Sequence, residues 1–178
     1  PKWMEMLSHT VSEAHRLGME VDMNTGTGWP LGGPGVAVED AATKALFQEY
    51  DVKGGTKTNL KITIGDEEQK NVAYLSKLYA FSDNGRKIDL TSSVDKDGIL
   101  SWKAPAGNWR LIALFIGKTF QQVKRAAPGG RGYVMDHFNK SAVKNYLKGV
   151  DDAFSRSGAP WPNAFFNDSY EVYGANWS

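Results

Sequence analysis

The spacing of apolar residues changes period twice along this chain, which narrows the folds open to it. Residues 2–17, KWMEMLSHTVSEAHRL, place Trp3, Met6, Leu7, Val11, Ala14 and Leu17 at three- and four-residue steps, one face of an amphipathic helix. Gly18 stands where that helix would stop, and Met19, Val21 and Met23 then alternate with polar residues as in a strand. From about residue 46 to 120 the pattern becomes short β-branched and aromatic runs: LFQEYDV, TNLKITI, KLYAFS, GILSWKA and NWRLIALFI. Gly-Gly, Asp-Asn-Gly, Asp-Lys-Asp-Gly and Pro-Ala-Gly punctuate them as turns, which predicts an antiparallel sandwich or small barrel. Within it, SWKAPAGNWRL predicts a hairpin with Trp102 and Trp109 on its two arms.

Helical spacing returns in NKSAVKNYLKGVDDAFSRSG, with Val143, Tyr146, Leu147, Val150 and Phe154 on one face. Asn139 or Ser141 would cap its start and Gly158 its end. Strand-like GYVMDHF (132–138) precedes this helix and NAFFND (163–168) follows it. The expected organisation is an α/β chain interrupted by a β-rich insertion, divided as 1–45, 46–121 and 122–178.

Composition bounds the partners. Apolar residues make up 41% and charged residues 23%, a globular balance, and a net charge of +1 gives no reason to expect nucleic acid or an anionic membrane. No apolar run approaches the roughly 18 residues needed for a membrane span. The absence of cysteine removes disulfides and thiolate metal sites but leaves the compartment open. A start at Pro1, with neither an initiator Met nor a leader, reads as a piece of something longer.

Chemistry-bearing residues gather after the three strand-like runs flanking the insertion: Asp22 with Asn24, Asp136 with His137, and Asp168 with Glu171. In parallel sheets the carboxyl ends of strands form a common rim, so these tips are expected to line one cavity. Tyr170 and Tyr173 bracket Glu171, with Trp177 nearby; aromatic walls suit sugar faces, and a partly desolvated carboxyl holds its proton for donation near neutrality. The alternative is that Asp168 caps a turn and Glu171 is a solvated loop residue. The glycine-rich NTGTGWPLGGPG lacks both the third glycine of a dinucleotide motif and the lysine of a phosphate loop. It reads as a tight loop holding Trp29 beside a pocket, or as an ordinary turn. His137 reads as a metal ligand, a base, a donor to substrate or a structural histidine. His9 and His15 do not share a helix face, which argues against zinc. Lys124, Arg125 and Arg131 in QQVKRAAPGGRG could clamp an anionic substrate such as a uronic acid, with a solvated loop favoured for Lys124 and Arg125 left open.

Three stretches, EAHRLGMEVDMNTGTGWPLGGP, QVKRAAPGGRGYVMDHF and FFNDSYEVYGANW, together resemble glycoside hydrolase family 106, the α-L-rhamnosidases. The resemblance implies a fragment of a large bacterial enzyme of the periplasm or extracellular space that removes terminal α-L-rhamnose from plant polysaccharides or glycosides with inversion. Its implied fold here is a partial (β/α)8 TIM-barrel fragment interrupted by an antiparallel β-sandwich-like insertion. It puts Glu171 in the general-acid position and the general base outside these residues, so the fragment alone is expected to be inactive. Asp22, Asn24, Trp29, Asp136, His137, Asp168 and Tyr170 would line the sugar pocket. A calcium ion with unknown ligands accompanies the family's sugar site, and a dimer through an exposed barrel edge is expected. The segment departs from the family pattern at Arg131, where an acidic residue is expected. The alternative from a different class is a carbohydrate-binding module using Trp102 and Trp109 of the insertion.

Overall fold

A computed structural model describes residues 2–168 and 170–178. In chain order the elements are α1 (Lys2–Arg16), β1 (Asp22–Met23), β2 (Gly32–Gly33), β3 (Thr43–Lys53), β4 (Lys57–Lys61), β5 (Tyr74–Ser82), β6 (Lys87–Asp89), β7 (Ile99–Lys103), β8 (Asn108–Lys118), β9 (Tyr133–Val134), α2 (Lys140–Ser157) and β10 (Ala164–Phe165). Short 3-10 turns occur at Val38–Asp40, Glu67–Gln69 and Thr91–Ser93. The chain divides into two compact units: Pro1–Ala42 with Thr119–Gly174 and Ser178, and Thr43–Lys118 with Ala175–Trp177.

The Thr43–Lys118 unit is built on an antiparallel sheet ordered β3-β8-β5-β6. β3 and β8 pair without interruption from Thr43–Lys118 to Lys53–Asn108, and a bulge between Leu75 and Lys77 adjusts β5 against β8. Strands β4 and β7 form a separate antiparallel pair. Alternation along these strands sends Val52, Leu78, Ala80, Leu111, Ala113 and Phe115 inward to meet Leu100 of β7 in one apolar core.

The expected hairpin does not form. Its arms, β7 and β8, pair with different partners, β4 and β3. The connection is held instead by Gly54 N–H donating to the Gly107 carbonyl and Gly55 N–H to the Ala104 carbonyl. Those bonds hand the chain from one sheet to the other. The Trp109 indole donates to the Pro105 carbonyl at 2.9 Å, and Trp102 meets it edge-on at 5.4 Å. Trp109 is 3% exposed and packs in the core, with Trp102 half-buried against it.

In the other unit, α1 buries Met4, Leu7, Val11 and Ala14 at steps of three and four. Trp3 and Met6, assigned by their spacing to the same face, stay exposed. Gly18 adopts a φ of +71° and closes the helix: its N–H donates to the His15 carbonyl, and Met19 N–H to that of Ala14. Asn139 is the cap of α2, its side chain accepting from Ser141 and Ala142 N–H groups, and Gly158 ends that helix. Both helices share a core in which Met4, Leu7 and Val11 meet Phe154 and Ala159. Burying Val11 alone contributes about 1.5 kcal/mol.

The barrel-fragment reading is overturned. The described residues are mostly sheet, with two helices and no closed barrel. The expected strand at 132–138 contributes only β9, which runs antiparallel to the glycines of β2. Among the described residues the one parallel ladder, β1 with β10, joins just Asp22–Ala164 and Met23–Phe165. Phe165 and Phe166 of the strand-like run NAFFND are 44% and 59% exposed. Short apolar runs announce extended backbone without naming its partner, and here the partners differ from those a parallel barrel requires.

Candidate functional site

The loop between β1 and β2 owes its path to close backbone contact. Trp29 N–H donates to the Lys124 carbonyl at 3.0 Å and Lys124 N–H returns to the Trp29 carbonyl at 2.7 Å. A Cβ on Gly28 would stand 2.6 Å from that Lys124 carbonyl, so only glycine allows the approach. Tyr146 of α2 adds an anchor, its hydroxyl donating to the pair of carbonyls of Thr25 (3.0 Å) and Gly32 (3.1 Å). The glycine-rich stretch is thus a clamp on the segment carrying Lys124, and it presents Trp29.

The Lys124 ammonium lies 5.7 Å from the Trp29 ring centre and 4.6 Å from that of Tyr173. The Tyr173 hydroxyl donates to Glu171 Oε2 at 3.0 Å. Gln121, which the sequence did not single out, holds this acidic segment in place. Its Nε2 donates to the Glu171 carbonyl at 3.0 Å and its Oε1 accepts from Tyr173 N–H at 2.6 Å. No motif surrounds a lone glutamine, so only the fold reveals it. Glu171 itself is exposed, and burial does not shield it as its aromatic neighbours suggested.

A second group stands on the β9–α2 connection. Asp136 is 4% exposed and accepts from Phe138 N–H at 3.1 Å, closing the turn into α2. His137 Nδ1 lies 2.8 Å from the Met135 carbonyl. That contact requires a proton on Nδ1, leaving Nε2 of the neutral ring as an acceptor. Burial holds the imidazole below its ordinary value, favouring this neutral form; the Met135 bond and the Asp136 charge oppose the shift. Among the described residues Nε2 of His137 and Nε1 of Trp29 are buried without a hydrogen-bond partner. Tyr170 meets His137 edge-on at 5.2 Å and Phe138 at 5.3 Å. Burial first, and then the Asp136 charge, push the Tyr170 hydroxyl above its ordinary value.

His137 also lines a cleft of about 380 Å³ with Thr25, Tyr146, Phe166 and Asn167. The structure therefore sets Asp136, His137 and Tyr170 in one neighbourhood, with Trp29, Lys124, Tyr173 and Glu171 in a row of contacts that continues from Tyr170 along the backbone. Asp22, Asn24 and Asp168 are exposed. Asn24 turns back, its Oδ1 accepting from Gly26 N–H at 2.5 Å, which is a local turn bond.

Comparison with known proteins adds the family context. Residues 1–77 and 67–178 match the model of glycoside hydrolase family 106, described as alpha-L-rhamnosidase. A Formosa agariphila protein named "Putative beta-glucuronidase" is 26% identical over 217 aligned positions, which cover 99% of this chain and 19% of that protein. The solved structure of a rhamnosidase from Novosphingobium sp. PP1Y superposes with a TM-score of 0.77 at 15% identity, over 100% of this chain and 34% of its own. At that identity the likeness is one of fold. The chain spans well under two thirds of either relative.

Proposed function

The chain belongs to glycoside hydrolase family 106, and from that membership we propose that it serves an enzyme which removes terminal α-L-rhamnose from plant polysaccharides or glycosides with inversion. The observation that carries the reading is the setting of Glu171: an exposed carboxylate that accepts from the Tyr173 hydroxyl, on backbone fastened by Gln121. In the proposed reaction Glu171 protonates the glycosidic oxygen as it leaves. A second carboxylate, outside these residues, removes a proton from the attacking water on the opposite face of the ring. Inverting geometry sets the two carboxyl groups roughly 6.5–9.5 Å apart to admit that water. Tyr170, edge-on to His137, walls the sugar pocket.

Calcium takes six to eight oxygen ligands. Among the described residues no three His, Cys, Asp or Glu side chains gather, so a calcium ion held here would draw most of its ligands from carbonyl oxygens or from outside these residues. Polymeric substrates place the enzyme in the periplasm or outside the cell. The decisive assay is release of rhamnose by the longer enzyme from a rhamnosyl disaccharide, whose sugar leaving group needs a proton. Glu171→Gln is expected to lower kcat by about 100-fold or more, with partial recovery on substrates whose leaving group needs no proton. An unchanged kcat would refute the role. The isolated 178-residue chain is expected to release nothing.

A further inference from the structure

The Lys124 ammonium occupies an unusual position. It lies over the Tyr173 and Trp29 rings, and Tyr173 is bonded to the Glu171 carboxylate, yet among the described residues no carboxylate pairs with Lys124. Its backbone is fixed by the reciprocal bonds to Trp29. Arg125 follows directly with a φ of +54°, a conformation non-glycine residues seldom adopt, and adds a second cation to the same turn. A cation beside two aromatic faces and an acid matches a ring that is apolar on one side and negatively charged at its edge. We infer that Lys124 selects a glycoside carrying a sugar carboxylate next to the scissile bond, with Trp29 and Tyr173 supplying the faces on which that sugar lies.

This inference deepens the glycosidase reading and rests on Glu171 as the acid. The acid touches the leaving oxygen, so a cation held one contact away from it stands near the leaving-group side. The simplest source of the carboxylate is then a uronic acid to which the rhamnose is attached. A uronic acid as the released sugar presents the same chemistry to Lys124. Both are carboxylates at the edge of a hexose ring, and the choice between them is one of binding position. A neutral sugar would leave the ammonium with only its π contacts.

Binding to the 178-residue chain, followed by NMR titration at low salt, tests the inference with two matched pairs of probes. The first is rhamnosyl-galacturonic acid against its methyl ester; the second is methyl β-D-glucuronide against methyl β-D-glucoside. The acid of at least one pair is expected to bind about tenfold more tightly than its neutral partner, and the pair that discriminates identifies which ring bears the carboxylate. Lys124→Gln is expected to abolish the discrimination, Lys124→Arg to retain it, and 0.5 M salt to weaken it. A merely structural Lys124 would lower affinity for acid and ester alike. Equal affinities in both pairs, or discrimination that survives Lys124→Gln, would overturn the inference. If that happens while Glu171→Gln still abolishes rhamnoside turnover in the longer enzyme, the carboxylate preference falls alone. If neither pair binds, the inference falls, and if Glu171→Gln also leaves turnover unchanged, both readings fall.

Discussion

Gln69 offers the most quantitative test of how this chain holds together. Its side chain is fully buried, with Nε2 donating to the Lys118 carbonyl at 2.9 Å and Oε1 accepting from Lys118 N–H at 3.0 Å. The amide thereby imitates a neighbouring strand at the end of β8. Gly117 leaves the room for it, since a Cβ there would overlap Gln69 Oε1. Replacing Gln69 by Ala removes two hydrogen bonds, each worth about 0.5–1.5 kcal/mol net, and deprives a backbone donor and acceptor of partners. Partial hydration of the gap offsets some of that loss, so the expected destabilisation is about 2–4 kcal/mol. For a chain of this length that corresponds to a fall in Tm of roughly 5–15 °C. Thermal melts followed by near-ultraviolet circular dichroism, which reads the Trp102–Trp109 pair in the same unit, measure it. Gln69→Glu sharpens the test. It keeps the volume but sets a carboxylate against the Lys118 carbonyl, so its deficit should shrink as acid restores a donor proton. A Tm within about 2 °C of the parent for Gln69→Ala would refute the account.

Three further outcomes follow from the site. Gln121→Ala should leave the global Tm within about 3 °C, because its bonds are solvent-accessible, while raising hydrogen exchange at the Tyr173 amide about tenfold or more; unchanged exchange would show that Gln121 does not hold Glu171. Gly28→Ala should cost about 1–3 kcal/mol, read in a urea melt, because the new methyl meets the Lys124 carbonyl and parts the Trp29–Lys124 backbone pair. The His137 imidazole is held below 6.5 in the fold, so the unfolded chain binds the proton first as pH falls. Stability should therefore be indifferent to this group above its unfolded value and decline from about pH 6.5 downward, levelling once the folded ring also protonates. His137→Gln should flatten that decline, and parallel pH profiles for the two proteins would exclude the effect.

Local chemistry was legible in the sequence. Gly18 and Gly158 stop the helices and Asn139 caps the second, because each is decided by backbone conformation and hydrogen bonds within a few residues. The antiparallel insertion announced itself through alternation and turn residues, whose physics is equally local. Family membership was carried by three long motifs, and the match along the chain bears that out. His137 and Tyr170 were named as candidates, and the fold sets their rings 5.2 Å apart.

What lay beyond the sequence was every choice of partner. A strand's alternation is the same whether it pairs with its neighbour or with a segment sixty residues away, so SWKAPAGNWRL looked like a hairpin although its arms serve different sheets. The runs at 132–138 and 163–168 looked like barrel strands for the same reason, although one pairs antiparallel and the other keeps its phenylalanines exposed. Lys124 read as a solvated loop residue, and Gln121 was not singled out at all. Their roles come from rings and backbone groups fifty residues on, brought near by the clamp at Gly28 and Trp29. Conformational preference is a property of a few adjacent residues and is written along the chain. Which surfaces meet depends on the free energy of the whole packed arrangement, and that only the tertiary structure decides.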